Sequence, residues 1–129
     1  MKNKRPLAVI LFAVIGVVFG VMTVISGLAV LFGGDSTAKL AGDYVPFVVW
    51  FNFFAGFFYI AAGVQLWRGS TSAVRLSLAI ALATLIVLGL FGVHVLGGGS
   101  YEMRTVIALN FRSALWFVIA YVANRQLAR

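Results

Sequence analysis

Arg112 is a lone cation inside an otherwise apolar run, and of the 129 residues it is the one best placed to do chemistry. An arginine at the centre of a membrane helix costs at least about 2.5–3.5 kcal/mol on insertion scales, so it calls for a partner or a task. The chain has three acids, Asp35, Asp43 and Glu102. Glu102 is the nearest in sequence, yet it stands about 80° around a helix from Arg112, and pairing would require the preceding loop to fold back. Asp43 is the alternative partner. Asn52 sits at a similar depth on another helix and can donate to or accept from a guanidinium or a ligand. His94, the single histidine, lies near a helix end on the same side. Together, Arg112, Asn52, His94, Glu102 and Asn110 describe a candidate polar region open to one side of a membrane and closed below by apolar packing.

Each residue also has a plainer duty. From a depth of about 10 Å, at ~1.5 Å per residue from Thr105, Arg112 can snorkel to the headgroups. Asn52 and Asn110 suit interhelical hydrogen bonding. His94 suits an interfacial bond to a neighbour. A haem or copper centre would need a ligand from a second chain, since Met103 is the sole sulfur donor near His94. Tyr59 and Trp116 read as deep packing aromatics. Without cysteine there is no disulfide framework, thiolate site or cysteine nucleophile. No nucleophile elbow, zinc-binding His-Glu-x-x-His, phosphate loop or intramembrane carboxylate pair occurs. No cofactor or metal is expected.

The elements that must hold these residues are membrane spans. The chain is 63% hydrophobic and 10% charged, with a mean hydropathy of +1.07; soluble domains carry about 25% charge. Charge-free stretches run from Arg5 to Asp35, Asp43 to Arg68 and Arg75 to Glu102. Each exceeds the roughly 20 residues that cross a hydrocarbon core. Helices are predicted over 7–32, 44–67, 76–96 and 105–123, because lipid leaves backbone groups no other partner. The first run is too long for a signal-peptide core of about 7–15 residues. The expected fold is all-α, a single domain formed by a four-helix transmembrane bundle.

Cations fix the orientation. Lys2, Lys4, Arg5, Arg68, Arg75, Arg125 and Arg129 fall on one side, while Lys39 and Arg104 share the other with all three acids. The positive-inside rule then places both termini in the cytoplasm. Clustered at helix ends, the net charge of +7 reports topology rather than a nucleic-acid groove.

The second and fourth helices align without gaps, Val48-Val-Trp-Phe-Asn52-Phe53 over Val106-Ile-Ala-Leu-Asn110-Phe111. This predicts two parallel helical-hairpin repeats with Asn52 and Asn110 equivalent. It also creates a conflict: Arg112 is about 160° from Asn110 around the helix, so an inward Asn110 turns Arg112 outward. Small residues mark packing faces: Gly16, Gly20, Thr23 and Gly27 on the first helix, Gly56 and Gly63 beside Asn52 and Tyr59 on the second. Packing within the chain is the reading, with a homodimer as the alternative.

The stretch from Gly92-Val-His94 through Tyr101-Glu-Met-Arg-Thr105 to Arg112 resembles small four-helix inner-membrane proteins of Gram-negative bacteria. That resemblance covers the second half of the chain and implies a plasma-membrane location, but no activity. The first helix carries no acid, unlike that of small multidrug-resistance transporters. The leading expectation is a non-catalytic accessory or interaction subunit in lipid, homo-oligomeric or within a larger complex. The alternatives are a carrier for a small polar or anionic ligand entering from the outer side and, behind it, a haem- or quinone-associated subunit.

Overall fold

Four helices follow one another along the chain in the computed structural model, which describes residues 6–35, 39, 42 and 44–127. They are α1 (Leu7–Phe32), α2 (Pro46–Trp67), α3 (Ser72–Leu96) and α4 (Met103–Leu127), and no strand occurs among the described residues. All four are long and apolar enough to cross a membrane. The protein is an all-α, four-helix, multi-pass membrane bundle.

The helix ends differ from the sequence expectation for local reasons. α2 starts at Pro46 rather than Tyr44, since proline fits the first helical position, where its missing N–H is not needed. α3 begins one turn before Leu76 and takes in Arg75. α4 runs from Met103 to Leu127 rather than 105–123 and so includes Arg104 and Arg125. Charge limits the hydrocarbon crossing, not the helix, which continues into the interface until its chain reverses. Two of these reversals use the same device. At Gly69 (φ +69°) and Gly98 (φ +87°) the chain enters the left-handed region. There Gly69 N–H donates to Leu66 O and Ser70 N–H to Gln65 O, while Gly98 N–H donates to Val95 O and Gly99 N–H to His94 O. These crossed bonds satisfy carbonyls that the ending helix leaves open.

Within lipid, helices gain little from hiding apolar surface, so close backbone approach drives their association. The tightest seam is between α1 and α2, then α3 with α4; α2 meets α3 over less of its length, and α1 meets α4 over less still. Gly16 packs against Gly63, Gly20 against Gly56 and Ile60, and Gly27 against Phe53. As α1 ascends α2 descends, so the glycine stripes read in the sequence face each other inside one antiparallel hairpin. A Cβ on Gly20 would stand 2.7 Å from Gly56 O, and one on Gly63 2.8 Å from Ala13 O.

Two apolar cores fill the bundle. The larger contains Val9, Ala13, Tyr59, Leu66, Ile80, Trp116 and Ile119. The smaller, of Val45, Val48, Val87, Phe91 and Leu109, lies toward the end that carries the α3–α4 loop. The 52-over-110 alignment carries over to environment only in part: Ala55 and Ser113 are both buried, as are Ala62 and Ala120, whereas Val48 and Tyr59 on α2 and Leu109, Trp116 and Ile119 on α4 are buried opposite positions that are not. Asn52 is half-buried and Asn110 exposed.

Alanine at Gly20 should destabilise the protein by about 1–3 kcal/mol, the usual cost of overpacking. Gly89→Ala, where nothing lies within 4 Å of the added methyl, should be neutral or stabilising by up to about 1 kcal/mol. Equilibrium unfolding in mixed micelles compares the two; equal effects would show that the α1–α2 contact sets no limit on stability.

Candidate functional site

Arg112 points into the bundle. Its Nη1 donates to the Thr23 hydroxyl on α1 at 3.1 Å and to the Tyr59 hydroxyl on α2 at 3.2 Å. The guanidinium carbon lies 4.7 Å from the Phe19 ring centroid and 5.8 Å from that of Tyr59. Arg112 and Thr23 each stand about 13 Å along their helices from the loop end, at ~1.5 Å per residue. The guanidinium therefore reaches sideways at one level rather than climbing to the headgroups. Hydroxyl oxygens and aromatic faces surround the guanidinium: cation–π contacts are worth about 0.5–2 kcal/mol as water is excluded, and hydrogen bonds to charged groups about 1.5–3 kcal/mol.

The aromatic rings form a short stack. Phe19 lies parallel to Tyr59 with centroids 5.5 Å apart, and Tyr59 stacks on Trp116 at 5.0 Å. Arg112 and Trp116, one turn apart on α4, thus both bear on Tyr59, which is fully buried. Phe111 meets Phe19 edge-on at 6.0 Å. The Tyr59 hydroxyl also interacts with Thr84 on α3, and the Thr84 hydroxyl donates to Ile80 O at 2.7 Å. All four helices contribute to this intramembrane node.

No carboxylate among the described residues pairs with Arg112. Glu102 lies 3.7 Å from Arg104 Nη2 and against Gly42, whose φ is +71°. Asp43, the other expected partner, lies outside the described residues. His94 Nε2 bonds Ser100 O at 2.9 Å, with Phe91 and Phe47 beside its ring; it finishes the α3–α4 turn. Asn110, expected to face the axis, is exposed and donates from Nδ2 to Val106 O of its own helix at 2.8 Å. The conflict raised by the sequence resolves in favour of an inward Arg112. Asn52 is half-buried, and its Oδ1 makes no hydrogen bond among the described residues, as is true of Ser113 Oγ, Trp116 Nε1 and Arg112 Nε.

The five candidates are therefore not one cluster; toward the loop end, Val45, Val48, Val87, Phe91 and Leu109 pack between α2, α3 and α4. Sequence reasoning placed Thr23 and Tyr59 on packing faces and missed them as acceptors. The available signal was a deep tyrosine three residues after Gly56 and a threonine three after Gly20, on glycine stripes that bring two hydroxyls together. No protein-family model, no curated protein and no solved structure matches the chain.

The Arg112–Tyr59 bond should appear as a coupling of about 1 kcal/mol in a double-mutant cycle of Arg112→Gln and Tyr59→Phe, the scale of hydrogen bonds between membrane helices. Arg112→Gln with Glu102→Gln should show none, and additivity in the first cycle would remove Tyr59 as a stabilising partner.

Proposed function

We propose that the chain is a small, non-catalytic accessory or interaction subunit of a bacterial inner membrane that works in association with other membrane proteins or with copies of itself. The observation that carries this reading is the commitment of Arg112. The strongest candidate for ligand chemistry ties α4 to the α1–α2 hairpin through Thr23 and Tyr59, and His94 and Glu102 have local partners elsewhere. The outward faces add support. Between 28% and 33% of each helix's most apolar window is buried within the chain, which leaves most of every span for lipid or a neighbour. Phe32, Trp50, Phe53, Phe54 and Phe57 form a run of touching rings along the α1–α2 hairpin, and all but Phe53 are exposed.

Both termini are assigned to the cytoplasm from the excess of Lys and Arg at that end. The chain has no cysteine, so single cysteines report topology cleanly. Lys39→Cys should react in intact spheroplasts with a membrane-impermeant maleimide, and Arg125→Cys only after lysis; the reverse pattern would invert the orientation.

Association is tested by native mass spectrometry from mild detergent. Species above the 13.9 kDa of one chain, as homomers or with a second polypeptide, are the expected result. A bare monomer in every mild detergent, with no cross-linked species in intact membranes, would overturn the accessory reading.

A further inference from the structure

The turn between α2 and α3 carries two arginines that it does not use. Its other polar side chains are tied to one another: Ser72 Oγ donates to Gln65 Oε1 at 2.9 Å and lies 2.8 Å from Ser70 Oγ. Arg68, at the end of α2, and Arg75, in the first turn of α3, are both exposed. Neither makes an ion pair or a side-chain hydrogen bond among the described residues. The three acidic side chains of the chain, Asp35, Asp43 and Glu102, all fall in the α1–α2 and α3–α4 connections, at the other end.

Next to this turn, α2 and α3 part around a groove of about 290 Å³. Phe51, Phe54 and Phe58 of α2 and Leu76, Ala79 and Ala83 of α3 line it. The two alanines leave the space, because each presents only a methyl group to α2. Phe54, Phe58 and Ala79 are exposed, so the groove opens sideways to lipid. On α3 it begins at Leu76, the residue after Arg75, and ends at Ala83, about 10 Å on at ~1.5 Å per residue. Ala83 is near the middle of the 25-residue α3, so the groove stops near the bilayer midplane.

We infer that the α2–α3 seam binds an anionic phospholipid of the leaflet on the side of the termini, with an acyl chain in the groove and the phosphate between Arg68 and Arg75. Charge selects the head: two cations with no acidic neighbour stand at headgroup level, where each Lys or Arg attracts anionic lipid. Length selects the tail. A groove that starts at the interface and ends at the midplane has the reach of one leaflet's acyl chain, whereas a partner helix would run the whole core of about 30 Å. Neither arginine has to turn into the groove. A phospholipid carries its charge at one end of its chains, so the phosphate meets both side chains in the headgroup layer. This site stands independently of whether the chain associates with other proteins.

The test is electron paramagnetic resonance of chain-labelled phosphatidylglycerol and phosphatidylcholine, each as a trace in phosphatidylcholine nanodiscs holding the full chain. Labelled phosphatidylglycerol should show a motionally restricted component that saturates, and labelled phosphatidylcholine should associate at least about tenfold more weakly. Arg68→Gln and Arg75→Gln, both at exposed positions, should each weaken phosphatidylglycerol binding roughly fivefold. Together they should bring it close to phosphatidylcholine. Arg125→Gln, at the end of α4, should leave the preference nearly unchanged. Ala79→Phe, which fills the groove from an exposed position, should reduce binding with both arginines in place. Inorganic phosphate should not displace the labelled lipid. Equal restriction of the two lipids, or full binding to the double arginine variant or to Ala79→Phe, would overturn the proposal. So would equal losses in Arg125→Gln and Arg75→Gln, which would indicate diffuse attraction to a basic face, and displacement by phosphate, which would indicate a site for the free anion.

Discussion

The contact on which the other features rest is backbone against backbone, at Gly20 and Gly56. In lipid there is no hydrophobic gain in pressing two apolar helices together, so van der Waals contact between main chains must supply the attraction. Gly20 and Gly56 allow it because neither carries a Cβ in the interface. Thr23 and Tyr59 each follow their glycine by three residues, on the same side of the helix. When the backbones touch, the two hydroxyls converge, and a single nitrogen of Arg112 reaches both. A wider α1–α2 spacing would leave that nitrogen one acceptor or the other.

The node is then a solution to a charge problem with no opposite charge among the described residues. Two neutral oxygens and two ring faces are weaker acceptors than a carboxylate, but they are cheaper to place in hydrocarbon, because no second ion has to be desolvated. The stack of Phe19, Tyr59 and Trp116 is built into the larger core, so the receptor for the guanidinium belongs to the packed interior of the bundle. Arg112 closes the fold across a thin seam, where α4 and α1 share little other surface.

Much of the architecture was legible in the sequence because lipid imposes few rules and enforces them strictly. Charge-free runs longer than a bilayer crossing had to be helices, and glycines at steps of three and four had to mark a seam. Helix ends were less legible, since Arg75, Arg104 and Arg125 tolerate helix in the interface as well as loop. The facing of α4 was misread for a specific reason. A sequence match between two apolar helices records composition, and here it set Asn52 over Asn110 although the two lie in different surroundings. Asn110 instead bonds its own helix, an option every asparagine keeps. The partner of Arg112 was hidden because acids were sought, whereas Thr23 and Tyr59 look like packing residues until the third dimension brings them together.

The position of the node along the chain carries a consequence for biogenesis. α4 is the least apolar of the four helices, with a mean hydropathy of 1.7 over its best window against 2.9 for α1, and it alone holds a cation well inside its span. It is also the last to emerge from the ribosome. By then α1 and α2 are already synthesised, with Thr23 and Tyr59 on the hairpin they form, so the guanidinium can enter the bilayer toward a waiting receptor instead of bare lipid. Integration of the final helix is thereby eased by correct assembly of the first two, because the hairpin presents the acceptors that offset the cost of placing its one deep cation in hydrocarbon.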